Sequence, residues 1–310
     1  MASWILKAVV QKTLSLFPKS HVWNRVLQER LTGSLRLSQD RVADQFRRCA
    51  RHLESYVRLR GAVPQTVLEV GTGWMPILPL GFSLCGCREV WSVDRVSLMR
   101  PSDVENTLRM AAELHRAGRL APMLPRLQGD RVSHLLDATR PGDGRDPIET
   151  LERLGIHCRI AELSRLPVGE GSVDLAVSNS VLEHLRQGEI EALFRQIRRL
   201  VARDGVTSHF IDLADHYANF DRRLDVYNFF KFPEPVWALI NSSLHYQNRL
   251  RISDYRRLFT QTGWRIVGES SERGTESDLE PIPLARRFRR YAREDLLVYR
   301  SWITGSPEGA

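Results

Sequence analysis

Lysine is nearly missing from this chain. Of 310 residues only Lys7, Lys12, Lys19 and Lys231 are lysine, although basic residues number 45 against 37 acidic ones. Arginine therefore carries the net charge of +8. Such a bias follows from a GC-rich coding sequence and scatters arginine over every face, whereas steering a nucleic acid needs a patch. The densest cluster, Arg286, Arg287, Arg289, Arg290 and Arg293, is followed by Glu294 and Asp295 and reads as a solvated helix. No nucleic-acid partner is expected. Cysteine is scarce too: Cys49, Cys85, Cys87 and Cys158 form no CxxC pair, and a single residue between Cys85 and Cys87 is not a zinc spacing. Reduced thiols point to the cytoplasm, and no metal site is expected. No apolar run reaches the ~18–20 residues of a membrane span. The partly apolar start is interrupted by Lys7, Gln11 and Lys12, which makes a poor secretory signal. Trp4, Ile5, Ala8 and Val9 have the spacing of a helix packed on its own protein, so membrane association is not expected.

What is present is an ordinary globular composition, 42% apolar and 26% charged, enough to fill the core of one large domain with insertions. Residues 1–62 read as a helical cap. Its clearest helix starts at Ser38 as N-cap, carries Val42, Phe46, Cys49, Leu53 and Val57 on one face, and ends at Gly61. From Thr66 short β-branched runs alternate with helical stretches: 67–70, 90–94, 156–161, 173–178, 206–213, 264–267 and 296–303 are the expected strands. A helix over 189–202, capped by Gly205, and another opened by Ser253 lie between them. The alternation argues for an α/β domain, 63–310, with a parallel sheet and helices on both faces. Ligands bind such a sheet at the C-terminal ends of its strands, where strand order reverses. Two excursions, 97–155 and 214–252, leave from that edge and are expected to act as substrate lid.

Glu69-Val70-Gly71-Thr72-Gly73-Trp74-Met75-Pro76 is a strand ending in an acid and a Gly-x-Gly turn, which brings backbone close to a ligand. A nicotinamide fingerprint would place a third glycine where Pro76 stands. Asp94 closes the second strand, 23 positions after Gly71, where a carboxylate can accept two hydrogen bonds from a ribose diol.

The most specific stretch runs from Glu162-Leu163-Ser164-Arg165-Leu166-Pro167 through the Val173-Asp174-Leu175 strand to Ser178-Asn179-Ser180 and Val181-Leu182-Glu183-His184-Leu185. Here the sequence resembles the class I S-adenosylmethionine-dependent methyltransferases of small-molecule type. The resemblance covers about 66–213, more loosely the last two strands. It implies a Rossmann-like seven-stranded sheet of order 3-2-1-4-5-7-6 with strand 7 antiparallel, and S-adenosylmethionine as cofactor. It implies that Glu69, Gly71, Thr72, Gly73 and Trp74 wrap the methionine half, that Asp94 holds the ribose, that Glu162 and the Leu163 N–H hold the adenine, and that Asn179 and Ser180 face the sulfonium. Met75 departs from the family's frequent glycine and is read, with Trp74, as a pocket wall. A softer likeness of 211–216, 227–230 and 248–255 to methyltransferases of polysaccharide and natural-product pathways implies a small-molecule or glycan acceptor. His184 and His216, with His209 as a further candidate, could serve as base, with Asp212 or Asp215 as orienting acid. Tyr227 and Asn228 are candidate substrate contacts. Two alternatives stay open: a cyclase that consumes the cofactor to make a cyclic amino acid and methylthioadenosine, and a non-catalytic binding protein.

Overall fold

The computed structural model describes residues 4–14, 37–140, 146–221 and 223–309; the expected cap between 15 and 36 lies outside the described residues. The elements are α1 Trp4–Leu14, α2 Gln39–Arg60, β1 Thr66–Val70, α3 Ile77–Leu84, β2 Glu89–Asp94, α4 Pro101–Arg116, α5 Gly129–Ala138, α6 Pro147–Arg153, β3 Ile156–Ile160, β4 Val173–Asn179, α7 Gln187–Leu200, β5 Val201–Asp212, α8 Glu234–Ile240, α9 Ile252–Gln261, β6 Trp264–Arg273, α10 Glu276–Leu279, α11 Arg293–Leu296 and β7 Val298–Pro307. Ser38 Oγ accepts the Arg41 N–H at 3.2 Å and Gly61 ends α2, the two caps the sequence signals.

The seven strands form one sheet of order β3-β2-β1-β4-β5-β7-β6. β1 to β5 pair in parallel, and β7 runs antiparallel between β5 and β6. Strand order reverses between β1 and β4, which opens a crevice at their C-terminal ends. Apolar side chains of α2 to α6 cover one face of the sheet, with Val42, Phe46, Leu53, Leu80, Phe82 and Leu108 fully or nearly buried. α7 and α9 cover the other through Ile190, Phe194, Ile197, Tyr255, Leu258 and Phe259. A third, aromatic cluster of Tyr217, Tyr227, Phe229, Phe230, Trp237 and Phe288 organises the chain after β5. Trp4 of α1 packs on it, its ring centroid 5.5 Å from Tyr217 and 5.8 Å from Phe232.

Four sequence expectations are corrected. Gly205 does not cap α7, which ends at Leu200; it lies inside β5, where a Cβ would stand 3.0 Å from the carbonyl oxygens of Val173 and Asp174. The glycine lets β5 approach β4 at the register shift between Val173 and Leu175. β6 and β7 extend to Arg273 and Pro307; their ribbon ends the sheet, and half-exposed polar residues such as Ser270 and Glu272 give no apolar alternation to read. α9 has Arg251, not Ser253, before its first turn, with Asp254 Oδ2 accepting the Arg251 N–H at 3.0 Å. The arginine cluster is a 3-10 turn over Arg286–Arg290 followed by α11, anchored by buried Phe288 and by Arg287, whose Nη1 lies 2.5 Å from Glu234 Oε1.

Candidate active site

The crevice opens into a cavity of about 1040 Å3, at the upper end of the ~300–1,000 Å3 typical of small-ligand sites. β1, β2 and β4 each deliver their last residues to it. Glu69, Gly71, Thr72, Gly73, Trp74, Met75, Asp94, Glu162, Leu163, Asn179, Ser180 and His184 all line it.

The turn after β1 is held from both sides. The Gly71 N–H donates to the Val93 carbonyl at 2.7 Å. Gly71 has φ +90°, and a Cβ there would collide with Val181 Cγ2. Gly73 has φ +67° and open space where its Cβ would be; its N–H donates to Asp94 Oδ2 at 3.0 Å. The other Asp94 oxygen accepts the Val96 N–H at 3.2 Å. One carboxylate thus fixes the glycine turn and faces the cavity. Beneath it, the Glu69 carboxylate accepts a hydrogen bond from Ser92 Oγ, which is 2.7 Å from Thr72 Oγ1. Burial pushes the Glu69 carboxyl up to about 8, against the opposing effect of the Ser92 bond. Glu162 is exposed and the Leu163 side chain is buried. Trp74 and Met75 form wall without closing the space.

At the end of β4, Ser180 has φ +57°, the one positive value outside glycine among the described residues. Asn179 Nδ2 donates to Gln45 Oε1 at 2.8 Å, and Arg48 Nη1 lies 3.4 Å from both Asn179 Oδ1 and Ser180 Oγ. The Arg48 guanidinium stacks on Phe210, 4.1 Å from the ring centroid, and is 2.9 Å from Asp44. Arg41, Gln45 and Arg48 of α2 therefore line the cavity. Sequence reasoning missed them: they sit on the polar face of an amphipathic helix, and nothing local tells which polar face meets a ligand. Among the described residues of 97–155 only Leu98 reaches the cavity, because α4 to α6 are spent on the core. Ser243, Leu244 and Tyr246 of 214–252 also line it.

His184 sits on the turn after β4. Its Nδ1 donates to the Tyr246 carbonyl at 2.7 Å, which leaves the lone pair on Nε2. Burial draws its pKa below the ordinary histidine value. The His216 ring is 5.1 Å from that of His184, centroid to centroid. Asp212 Oδ2 lies 4.0 Å from His216 Nε2. Asp212 and His216 stand behind His184 and do not line the cavity. His209 is elsewhere: it is buried between Phe194 and Phe259, bonded to Ser178 and Thr207, with its pKa driven down to about 3 by burial. Asp215 is also internal, accepting from the Tyr217 N–H and from Asn228 Nδ2.

Tyr227 and Asn228 do not reach the cavity. The Tyr227 hydroxyl donates to the Leu297 carbonyl at 2.6 Å and accepts the Gly274 N–H at 3.0 Å. Asn228 Nδ2 donates to Asp215 at 2.8 Å. Both side chains are spent tying the segment after β5 to itself and to β7. Their polar groups resemble substrate contacts in sequence because a buried polar bond and a ligand bond use the same residue types.

Residues 137–208, from the end of α5 into β5, match the model of the methyltransferase domain family. The match covers less than a quarter of the chain, and the sheet order and the crevice around it are those of the class I methyltransferase fold. Among solved structures, this chain is similar to a candidate O-methyltransferase from Nostoc punctiforme PCC 73102 (13% identity, 98% of this chain, 69% of that chain, TM-score 0.45). It is also similar to geranyl diphosphate C-methyltransferase from Streptomyces coelicolor A3(2) (12%, 83% and 78%, 0.42) and to an S-adenosylmethionine-dependent methyltransferase from Mesorhizobium loti (15%, 80% and 95%, 0.39). Neither the acceptor nor the atom methylated follows from such likenesses. No curated protein matches the chain. The cavity suits S-adenosylmethionine, the cofactor that the sequence resemblance implies: at Gly71 only a residue without Cβ leaves the cradle intact, and the carboxylates of Asp94 and Glu162 line the same space. Among the described residues, no helix is long and apolar enough to cross a membrane.

Proposed function

We propose that the chain methylates an oxygen or nitrogen of a small-molecule or glycan acceptor bound beside His184. The observation that carries this reading is one cavity lined by the Gly71–Gly73 turn, by Asp94 and by His184. In this reading Glu69, Gly71, Thr72, Gly73 and Trp74 hold the methionine half of the cofactor, Asp94 the ribose, Glu162 and the Leu163 N–H the adenine, and Asn179 and Ser180 the region of the sulfonium. S-adenosylmethionine supplies an already activated methyl group. The chain's own contribution is then orientation, dryness and a proton acceptor. Orientation alone can remove ~7–11 kcal/mol of a barrier at best. Tyr246, Leu244 and the Arg41, Gln45 and Arg48 face of α2 line the cavity, and in this reading 214–252 and the 1–62 cap act as lid on the 63–310 domain. His184 Nε2 takes the acceptor's proton, with Asp212 and His216 behind it. All four cysteines are free thiols, which fits a reducing compartment such as the cytoplasm.

The test is incubation of the purified chain with methyl-labelled cofactor and panels of hydroxyl- and amine-bearing small molecules and glycans, analysed by mass spectrometry. Label in an acceptor, with S-adenosylhomocysteine formed in equal amount, supports the reading. Methylthioadenosine formed without any acceptor would replace it with the cyclase. Binding of S-adenosylhomocysteine without turnover on any panel would leave a binding protein.

A further inference from the structure

The structure assigns Glu183, His184 and His216 to a binding site for one divalent first-row transition cation at the back of the cavity. Each offers one donor atom, and the three donors lie within 4.8 Å of one another. Donors around a single such cation stand about 3 Å apart, so the cluster would close by no more than about 2 Å. The three residues come from two elements: Glu183 and His184 from the turn Leu182–His184 after β4, His216 from just beyond β5. Topology, not sequence neighbourhood, brings them together.

The second observation is at Glu183. Glu183 is 1% exposed, Oε1 accepts the Asp212 N–H at 3.4 Å, and Oε2 is buried with no hydrogen-bond partner among the described residues. A buried carboxylate oxygen with nothing to bind is costly unless a cation meets it. His184 is oriented as a ligand: the Nδ1 bond to the Tyr246 carbonyl fixes the ring and directs the Nε2 lone pair, the arrangement found behind metal-bound imidazoles. Two imidazoles with one carboxylate favour Zn2+, Mn2+, Fe2+ or Co2+ over Mg2+ and Ca2+, which take oxygen donors.

Binding does not depend on the proposed acceptor; the cation's role does, and rests on that reading. A cation beside His184 would take an acceptor hydroxyl as a further ligand and ease its ionisation. The O–H bond would break with its electron pair left on oxygen and the proton passing to a water molecule in the cavity, since His184 Nε2 would then be a ligand and Asp212 does not line the cavity.

The experiment is calorimetric titration of the chelator-stripped full chain with Zn2+ and with Co2+, the latter followed by visible absorption. Mg2+ and Ca2+ serve as controls, and Glu183→Gln, His216→Ala and His216→Gln as variants whose folding is checked by circular dichroism. Expected are one equivalent bound, a Co2+ spectrum with nitrogen ligands, and binding weakened tenfold or more in each folded variant. No saturable binding to the wild type, binding of Mg2+ or Ca2+ alone, or Zn2+ binding unchanged in both His216 variants would overturn the assignment. None of these readouts uses turnover, so a failed methylation assay and a failed metal site remain distinguishable.

Discussion

His184 donates its Nδ1 proton to the main-chain carbonyl of Tyr246, 2.7 Å away. One bond thereby fixes a tautomer and anchors the 214–252 segment to the turn after β4. Because the acceptor is main chain, Tyr246→Phe should leave it in place. His184→Ala removes both the anchor and Nε2. It should lower kcat by ~10²–10⁴ and change the affinity for S-adenosylhomocysteine little, with turnover and calorimetry measured side by side. An equal loss in both would move His184 from catalysis to cofactor binding.

Asp94 bonds the backbone of its own strand end and of the Gly73 turn together. Asp94→Ala should weaken S-adenosylhomocysteine binding at least tenfold, about 1.4 kcal/mol. Asp94→Asn keeps an oxygen for the Gly73 N–H and should fall between that variant and the wild type. Calorimetry on the three proteins orders them; equal affinities would remove Asp94 from the site.

Two glycines two positions apart in one turn make different demands. Gly71→Ala meets both a positive φ and Val181 Cγ2, whereas Gly73→Ala meets only the positive φ, which costs about 1–2 kcal/mol. Denaturant unfolding should show Gly71→Ala as clearly the more destabilised. Cofactor binding should be lost in Gly71→Ala and reduced in Gly73→Ala. Equal stabilities would mean that Val181 moves aside without cost.

The sheet order was legible through the resemblance: the glycine turn, the acid ending β2 and the stretch 162–185 follow one another as in the class I methyltransferases, whose strand order they imply. The α2 wall was not legible, since Gln45 and Arg48 are surface-like residues until the sheet end is brought against them. Glu183 was in plain view within its motif. Its significance appears only when β5 delivers His216 beside it. Gly205 misled because a glycine after a helix reads as a cap, and close approach of another strand leaves no local mark.

Tyr227 bonds Leu297 and Gly274, so its hydroxyl holds the chain after β5 against the start of β7. Tyr227→Phe removes the bridging hydroxyl while the Gly274 N–H still donates to the Leu297 carbonyl at 3.1 Å, and should cost about 0.5–1.5 kcal/mol of stability. The Michaelis constant for an acceptor should not change. A selective rise in that constant at unchanged stability would return Tyr227 to the substrate site.

Glu69 is the buried acid under the glycine turn, its carboxyl pushed up to about 8 by loss of water. In the unfolded chain it titrates in the ordinary carboxylate range. Between those two values the folded protein holds a proton that the unfolded chain has released, so stability falls as pH rises. The contribution is complete below the unfolded value and is lost as pH passes through about 8. Glu69→Gln keeps an oxygen for Ser92 Oγ and cannot ionise. Melting temperatures of wild type and variant should therefore diverge with rising pH, the wild type losing ground between about pH 5 and pH 9. Comparing the two proteins cancels the other buried acids, such as Glu183 and Asp215, whose pKa values are also raised. A difference that stays constant across that range would mean that Glu69 ionises at its ordinary pKa in the folded protein, with water reaching it through the cavity.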